Sequence, residues 1–280
     1  MSLQDNRFVS ILENAKETRV AAAAFNIVNE QSLRGVLRAA ESEGRPIIIQ
    51  TSTSTVKRLG AEALGGMVNS ARNQVKIPFA LHLDHCRDDE LVKECIRFGW
   101  DSIMMDYSHL DLSENIVKMK QIVAYAHQYG IAVEGEVGLI KGVEDDIQVD
   151  SEKLATLEDT VYFVDETGVD AIAPAIGTAH GQYTKKPSLN FDLVQKLSAF
   201  STPVVVHGGT GLEDGVFLRL VDCGAAKINI STAVKASYLE GMKTAILSGK
   251  KNPLACDEII EEEIQKMAAG LIRLFARKDV

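Results

Sequence analysis

No stretch of the 280-residue chain approaches the roughly 18 uninterrupted apolar residues that a membrane-spanning helix needs. The opening MSLQDNRFVS also lacks the basic-then-apolar order of a secretion signal. The expectation is a cytoplasmic protein with no membrane partner. Cysteine is sparse: Cys86, Cys95, Cys223 and Cys256 show neither CxxC spacing nor the density of a disulfide scaffold, so reduced thiols are expected. Positive charge is in deficit, with 39 acidic against 30 basic residues and a net charge of −9. That balance argues against a nucleic-acid partner and leaves any anionic substrate to be held by local donors. The first apolar run is followed by no GxGxxG turn, because FNIVNE stands there, which argues against a dinucleotide-binding open sheet.

The chain does contain a repeated pattern. With 46% hydrophobic and 25% charged residues it has enough apolar material for a sizeable core, and a single domain over 1–280 is expected. Short β-branched runs recur as VAAAAFNI from Val20, PIIIQ from Pro46, PFALHLDH from Pro78 and DSIMMD from Asp101. IAVEGE from Ile131, DAIAPAIG from Asp170, PVVVHGG from Pro203 and AAKINI from Ala225 complete a set of eight. Several lack period-two polarity, as parallel strands covered on both faces do. Segments with apolar positions at helical spacing lie between them, for example over 30–43, 113–128 and 192–200. Eight β-then-α units in about 250 residues predict a (β/α)8 barrel, here with an additional C-terminal helical segment. The longest interruption, GLIKGVEDDIQVDSEKLAT after the fifth strand, predicts a functional loop.

Polar groups at the carboxyl ends of barrel strands face the mouth where such folds do their chemistry. Asn26, Ser52, the pair Asp84 and His85, Asp106, Glu134 and Glu136, His180, His207 and Asn229 occupy those ends in turn. Three histidines from three strands that leave an open position are a composition used for catalytic zinc. His82 is assigned to packing or to support of the site, His127 to a solvated helix face, and His109 stays open between roles. Lys227 on the eighth strand carries a rival reading, a Schiff base formed by a buried lysine.

Through AFNIVN, LHLDHC, SIMMDYSHL, VEGEVGLIKGVEDD, AIGTAHGQY, VVVHGGTG and KINIST, in that order and over nearly the whole chain, the sequence resembles the class II, zinc-dependent ketose-bisphosphate aldolases. The resemblance implies that His85, His180 and His207 bind zinc and that Asp106 and Glu136 form a second cation site. It implies that Asp84 is the acid/base at the hydroxyl of the cleaved bond and that Glu144 moves the proton at carbon three. Breaking a carbon–carbon bond beside a ketone leaves an enediolate whose charge a Lewis acid stabilises, and two proton transfers call for two separate groups. Gly181, Lys185, Gly208, Gly209 and Thr210, with Asn229, Ser231 and Thr232, are expected to hold a sugar phosphate, and Asn26 and Ser52 to contact the sugar. A homodimer or homotetramer is implied.

Two departures bear on the substrate. Where the family carries Asp-Pro-Arg, whose arginine grips the distal phosphate, often from a neighbouring subunit, this chain reads Asn252-Pro253-Leu254. Ser231 stands where relatives place Asp, Asn or Ala. The expected activity is reversible cleavage of a ketose phosphate to dihydroxyacetone phosphate and an aldehyde. The alternatives are a ketose with no distal phosphate, the Schiff-base route through Lys227, and a non-catalytic phosphosugar-binding subunit.

Overall fold

The computed structural model describes residues 3–144, 147–149, 152–181, 183 and 186–277. Its elements alternate as the apolar runs predict. Helix α1 (Arg7–Glu17) precedes β1 (Ala22–Asn26), α2 (Glu30–Glu43), β2 (Ile47–Ser52), α3 (Thr53–Leu59) and α4 (Ala61–Arg72). Next come β3 (Phe79–Cys86), α5 (Asp89–Arg97), β4 (Ser102–Met105), α6 (Leu112–Gln128), β5 (Ala132–Val137), β6 (Lys141–Glu144) and β7 (Ile147–Val149). The chain continues through α7 (Leu157–Thr167), β8 (Ala171–Pro174), β9 (Ala179–His180), α8 (Phe191–Leu197), β10 (Val204–Val206) and α9 (Asp214–Asp222). Strand β11 (Ala225–Ile230) and helices α10 (Thr232–Leu247) and α11 (Pro253–Phe275) complete it.

Among the described residues, eight parallel strands close a barrel in the order β1-β11-β10-β8-β5-β4-β3-β2. Helices cover its outside, and the expected (β/α)8 architecture is what forms. Along β1, Ala23 and Phe25 join the large outer core under the helices, while Ala22 and Ala24 join a smaller inner cluster. The two faces of each strand therefore bury different things, which is why period-two polarity is weak.

The lower half of the barrel interior is lined by small residues, Ala22, Ala24, Ala80, Ala132, Ala171, Ala173 and Ala226 among them. Those short side chains leave room for a plug. Helix α1 fills it with Phe8, Ile11, Leu12 and Ala15, all buried. Its start is fixed by Asn6, whose side-chain oxygen caps Phe8 and Val9 while its amide donates to the carbonyls of Asp101 and Gly130.

The C-terminal helical segment is α11. Its buried residues Ile260, Ile264, Ala268, Ile272 and Phe275 recur at helical spacing and face the rest of the molecule. Gly35 of α2 lets the two helices close up, since a Cβ there would stand 2.7 Å from Ile264. Arg38 and Glu261 pair at 2.7 Å across the same contact.

The segment after β5, expected to be a loop, is in part a small sheet. β6 pairs antiparallel with β7 and parallel with β9, and Leu139 bridges to Lys153. The pairing gives backbone groups beside the barrel mouth partners that a bare loop would lack. His180 lies on β9, so it reaches the mouth from this added sheet and not from a barrel strand.

Candidate active site

The upper half of the same inner face is polar. Asn26, Gln50, His82, Asp84, Glu134, Glu136, Lys227 and Asn229 are all buried, and each sits on a barrel strand. Side chains on one face of a strand recur at every second residue, so His82 and Asp84, Glu134 and Glu136, and Lys227 and Asn229 form stacked pairs pointing inward.

Asp84 is fixed from two sides. Its Oδ2 accepts from the Asn26 amide at 2.9 Å and its Oδ1 from the Asn229 amide at 3.3 Å. Gln50 in turn donates to Asn26 Oδ1 at 2.7 Å, which orients the Asn26 amide toward the aspartate. The next residue, His85, has a positive φ of 45°. Such a backbone is uncommon for a residue with a side chain and is found where the surroundings enforce it. Here the β3–β4 register shifts between Leu83 and Cys86, and the irregularity breaks the inward-outward alternation. Asp84 and His85, though consecutive, thereby both serve the mouth.

His85, His180 and His207 converge: one ring nitrogen from each lies within 4.8 Å of the others. His207 Nδ1 and His85 Nε2 are 2.8 Å apart, and the rings of His85 meet those of His180 and His207 edge-on at 4.9 and 4.6 Å. The other nitrogen of His207, Nε2, lies 2.8 Å from Glu134 Oε1. An ionised carboxylate only accepts, so Nε2 carries the proton and the Nδ1 lone pair faces the other two histidines. Burial lowers the His207 pKa below its ordinary value, although the Glu134 hydrogen bond opposes this; the ring is therefore the neutral form a metal requires.

Glu134 also accepts from Lys227 Nζ at 2.7 Å, with both side chains fully buried. Burial alone would raise this carboxyl, but Lys227 and then His207 outweigh it and hold Glu134 well below the usual carboxylate range. His82 stacks on Phe8 with ring centroids 5.1 Å apart, and its Nδ1 meets Ser102 Oγ at 2.8 Å. Burial, reinforced by Lys227, keeps it neutral. The packing and supporting place expected for His82 is the one it has.

Two further carboxylates beside the histidines differ. Asp106 Oδ2 is 3.7 Å from His85 Nδ1 and accepts from Arg87, while Oδ1 accepts from Ser108. Burial would raise its pKa, but His85 and then Arg87 hold it well below the ordinary range. Glu136 Oε2 lies 4.0 Å from His85 Nδ1 and 3.9 Å from His207 Nδ1, with no hydrogen-bond partner among the described residues. Burial, then Asp106, push this carboxyl up to about 8. The three imidazoles are a donor set that fits a divalent metal, and the orphaned Glu136 oxygen lies beside them.

On the opposite rim, Gly208 has a φ of 68°, and a Cβ there would sit 2.5 Å from the Ala179 carbonyl oxygen. Only glycine lets the loop after β10 approach the β9 backbone this closely. Tyr183, which the motifs do not single out, ties the two together: its hydroxyl donates to the Gly208 carbonyl and accepts from the Ala179 amide. Gly209 packs against the Asn229 carbonyl and Thr210 Oγ1 accepts from the Ala233 amide, so the loops after β10 and β11 lie side by side. Gly181 directly follows His180 on the same rim, with a φ of 89°. Ser231 precedes Thr232, the first residue of α10, and its hydroxyl is buried without a partner. Ser52 caps α3 through the Thr55 amide. The Glu144 side chain and Lys185 lie outside the described residues.

Three other expectations resolve away from the mouth. His127 is not simply solvated, because its Nε2 meets Asp170 Oδ2 at 2.9 Å and ties α6 to the segment leading into β8. His109 is exposed on the loop after β4. Leu254 is 72% exposed in the first turn of α11, on the outer surface. Arg87, Gln50 and Tyr183 are the residues sequence reasoning missed. Arg87 had one available signal, its place two residues after His85.

The comparisons with known proteins agree with this geometry. The family model for fructose-bisphosphate aldolase class-II matches residues 6–279. The chain is 37% identical over 240 residues to a sulfofructosephosphate aldolase of Alkalicoccus urumqiensis, covering 85% of this chain and 84% of that one. It is 32% identical over 271 residues to a fructose-bisphosphate aldolase of Staphylococcus aureus, covering 95% of each. The crystal structure of the YdjI aldolase from Escherichia coli K12 superposes with a TM-score of 0.85 at 31% identity, covering 96% of each chain. Fold, site and these relatives agree that the chain belongs to the class II fructose-bisphosphate aldolase family and is an aldolase, a carbon–carbon lyase.

Proposed function

We propose that the chain is a zinc-dependent aldolase that reversibly cleaves a ketose phosphate of the fructose- or tagatose-bisphosphate kind to dihydroxyacetone phosphate and an aldehyde. The observation that carries this reading is the meeting of His85, His180 and His207 beside the doubly braced Asp84. Zinc held by the three histidines would act as a Lewis acid on the negative charge left beside the ketone when the carbon–carbon bond breaks. Asp84 takes the proton from the hydroxyl of that bond, and the Asn26 and Asn229 amides hold its carboxylate in one orientation for the transfer. Glu144 delivers the second proton, at carbon three. Gly181, Lys185, Gly208, Gly209, Thr210 and Thr232 form the phosphate pocket, whose backbone N–H groups supply the donors that the chain's net negative charge does not. Asn26, Ser52 and Ser231 face the sugar.

Lys227 argues for the metal route over a Schiff base. Its amine is buried in the barrel centre, 2.7 Å from Glu134, whereas a lysine nucleophile needs a free amine open to the carbonyl. Borohydride with substrate should leave Lys227 unlabelled, and exhaustive chelation or His180→Ala should abolish cleavage while the barrel stays folded. Full activity after chelation would sink the proposal. Asp84→Ala should lose cleavage, whereas Glu144→Ala should retain part of it and slow proton exchange at carbon three of dihydroxyacetone phosphate. Equal loss of both activities in both variants would refute this division of roles.

A second reading of the substrate is favoured by Leu254. With no guanidinium there to grip a distal phosphate, the preferred ketose carries another group at carbon six, such as a sulfonate, or none, and the name of the Alkalicoccus relative is in keeping with this. Losing a hydrogen bond to a charged group costs roughly 1.5–3 kcal/mol, about ten- to a hundredfold in kcat/KM. Comparing kcat/KM for fructose 1,6-bisphosphate, tagatose 1,6-bisphosphate, fructose 1-phosphate and a 6-sulfonated ketose decides it. Either bisphosphate at about 10⁵ M⁻¹s⁻¹ or above, ahead of the others, removes this reading.

A homodimer or homotetramer belongs to the same proposal. Leu239, Met242 and Ile246 form an exposed apolar stripe on α10, continued by Leu247. Sedimentation of an Ile246→Glu, Leu247→Glu variant should show a shift toward monomer. A wild-type chain that sediments as a monomer would refute assembly.

A further inference from the structure

Asp106 has little left to offer a second cation. Its Oδ2 accepts from Arg87 Nε at 3.0 Å and Nη2 at 2.7 Å. Its Oδ1 accepts from the Ser108 amide at 3.1 Å and the Ser108 hydroxyl at 2.6 Å. A carboxylate offers about four acceptor positions, so donors of this chain already take all of them. A metal ion binding Asp106 Oδ2 would also stand beside a guanidinium on the same oxygen. Glu136 shows the opposite condition, with one buried oxygen orphaned and facing the histidines.

Arg87 can take this place because β3 and β4 are neighbours in the barrel. It follows Cys86, the last residue of β3, and its side chain reaches across to the residue that follows β4. His85, Arg87, Asp106, Glu136, Gly142 and His180 border one cavity. The Arg87 side chain, about a third exposed (35%), forms part of its wall. The two nitrogens on a single carboxylate oxygen set its position more tightly than the one-point contact of an ammonium.

We propose that Arg87 is the resident cation of the Asp106 carboxylate, so that the site takes a single divalent ion at His85, His180 and His207 and no second metal at Asp106. Arg87 is a positioning residue. It holds Asp106 beside the His85 ring and supplies from within the chain the positive charge that an acquired ion would otherwise bring. The inference rests on the zinc reading and narrows it.

The test is metal stoichiometry, read independently of activity. Wild-type protein, stripped and titrated with zinc alone, should bind one equivalent per chain by calorimetry and elemental analysis. Arg87→Ala, with its circular dichroism unchanged, should take up a second zinc equivalent. Arg87→Lys should remain at one equivalent. Two equivalents in the wild type, or an Arg87→Ala protein that keeps one, overturns the proposal. The wild-type stoichiometry alone decides against it if Arg87→Ala does not fold. A wild-type protein that binds no zinc, or zinc that survives His180→Ala, would instead count against the zinc site itself.

Discussion

Lys227 and Glu134 show how a buried charge acquires its partner. Each is fully buried, so each needs the other, and Glu134 carries the further task of holding the His207 proton. Removing one member of a buried ion pair strands the other in a medium that solvates it poorly, at a cost of about 3–5 kcal/mol. Lys227→Met should lower stability by that amount in urea titrations. Adding Glu134→Gln should recover most of the loss, because the uncompensated charge is then gone. If the single variant loses less than about 1 kcal/mol, or the double variant recovers nothing, the pair is not the electrostatic unit described. The same logic separates Asp106, which Arg87 satisfies, from Glu136, whose Oε2 has no hydrogen-bond partner among the described residues.

Helix α1 and the small sheet after β5 are the two elements that turn a generic barrel into this one. The plug holds the barrel floor, with Phe8 fully buried, stacked on His82 and 5.8 Å beneath Lys227 Nζ. Phe8→Ala should cost about 3–5 kcal/mol, the usual range for a large buried aromatic, whereas Val117→Ser on the exposed face of α6 should change stability by less than about 0.5 kcal/mol. Comparable losses from the two would mean that the floor is not packed as described. The sheet of β6, β7 and β9 places His180, and Gly142 lies against it with a φ of 119°, where a Cβ would meet the His180 carbonyl oxygen at 2.3 Å. Gly142→Ala should therefore weaken zinc binding about tenfold or more in a competition assay, since the clash displaces the His180 backbone. Unchanged zinc affinity would show that the ring reaches the metal without that pairing.

The folded molecule responds to pH through groups pulled in opposite directions. In the metal-free chain Glu136 is raised to about 8, so the folded state keeps a proton that the unfolded chain releases at about pH 4–5. Its contribution to stability is greatest in acid and declines as the pH climbs toward 8. Asp106 and Glu134 are depressed in the folded state, so their contribution is present above about pH 4 and is lost as the pH falls below that. Chelated protein should accordingly have a higher urea midpoint at about pH 5.5 than at about pH 8. Glu136→Gln should shrink that difference, and zinc should restore the midpoint at about pH 8. A Glu136→Gln midpoint that falls just as steeply would assign the decline to other groups.

The barrel was legible because its evidence is local. Each β-branched run and each helical stripe reports its own burial, and the eight-fold count of them names the architecture without any long-range contact. His85, Asp84 and His207 were legible for the same reason, since each ends such a run and strand ends of a barrel face one mouth. Other features depended on which residues meet in space. Arg87 reads as a solvated charge in HCRDDE until β3 and β4 are paired and Asp106 comes within its reach. The alanines of VAAAAFN read as weak strand formers until α1 enters the space they leave. In the sequence His180 simply follows the sixth strand, and only the pairing of β9 with β6 shows the sheet that carries it. Periodicity along a chain records how often a residue is buried, whereas the partner of a buried charge is chosen by the closure of the barrel, which brings together residues some ninety positions apart, such as Glu134 and Lys227.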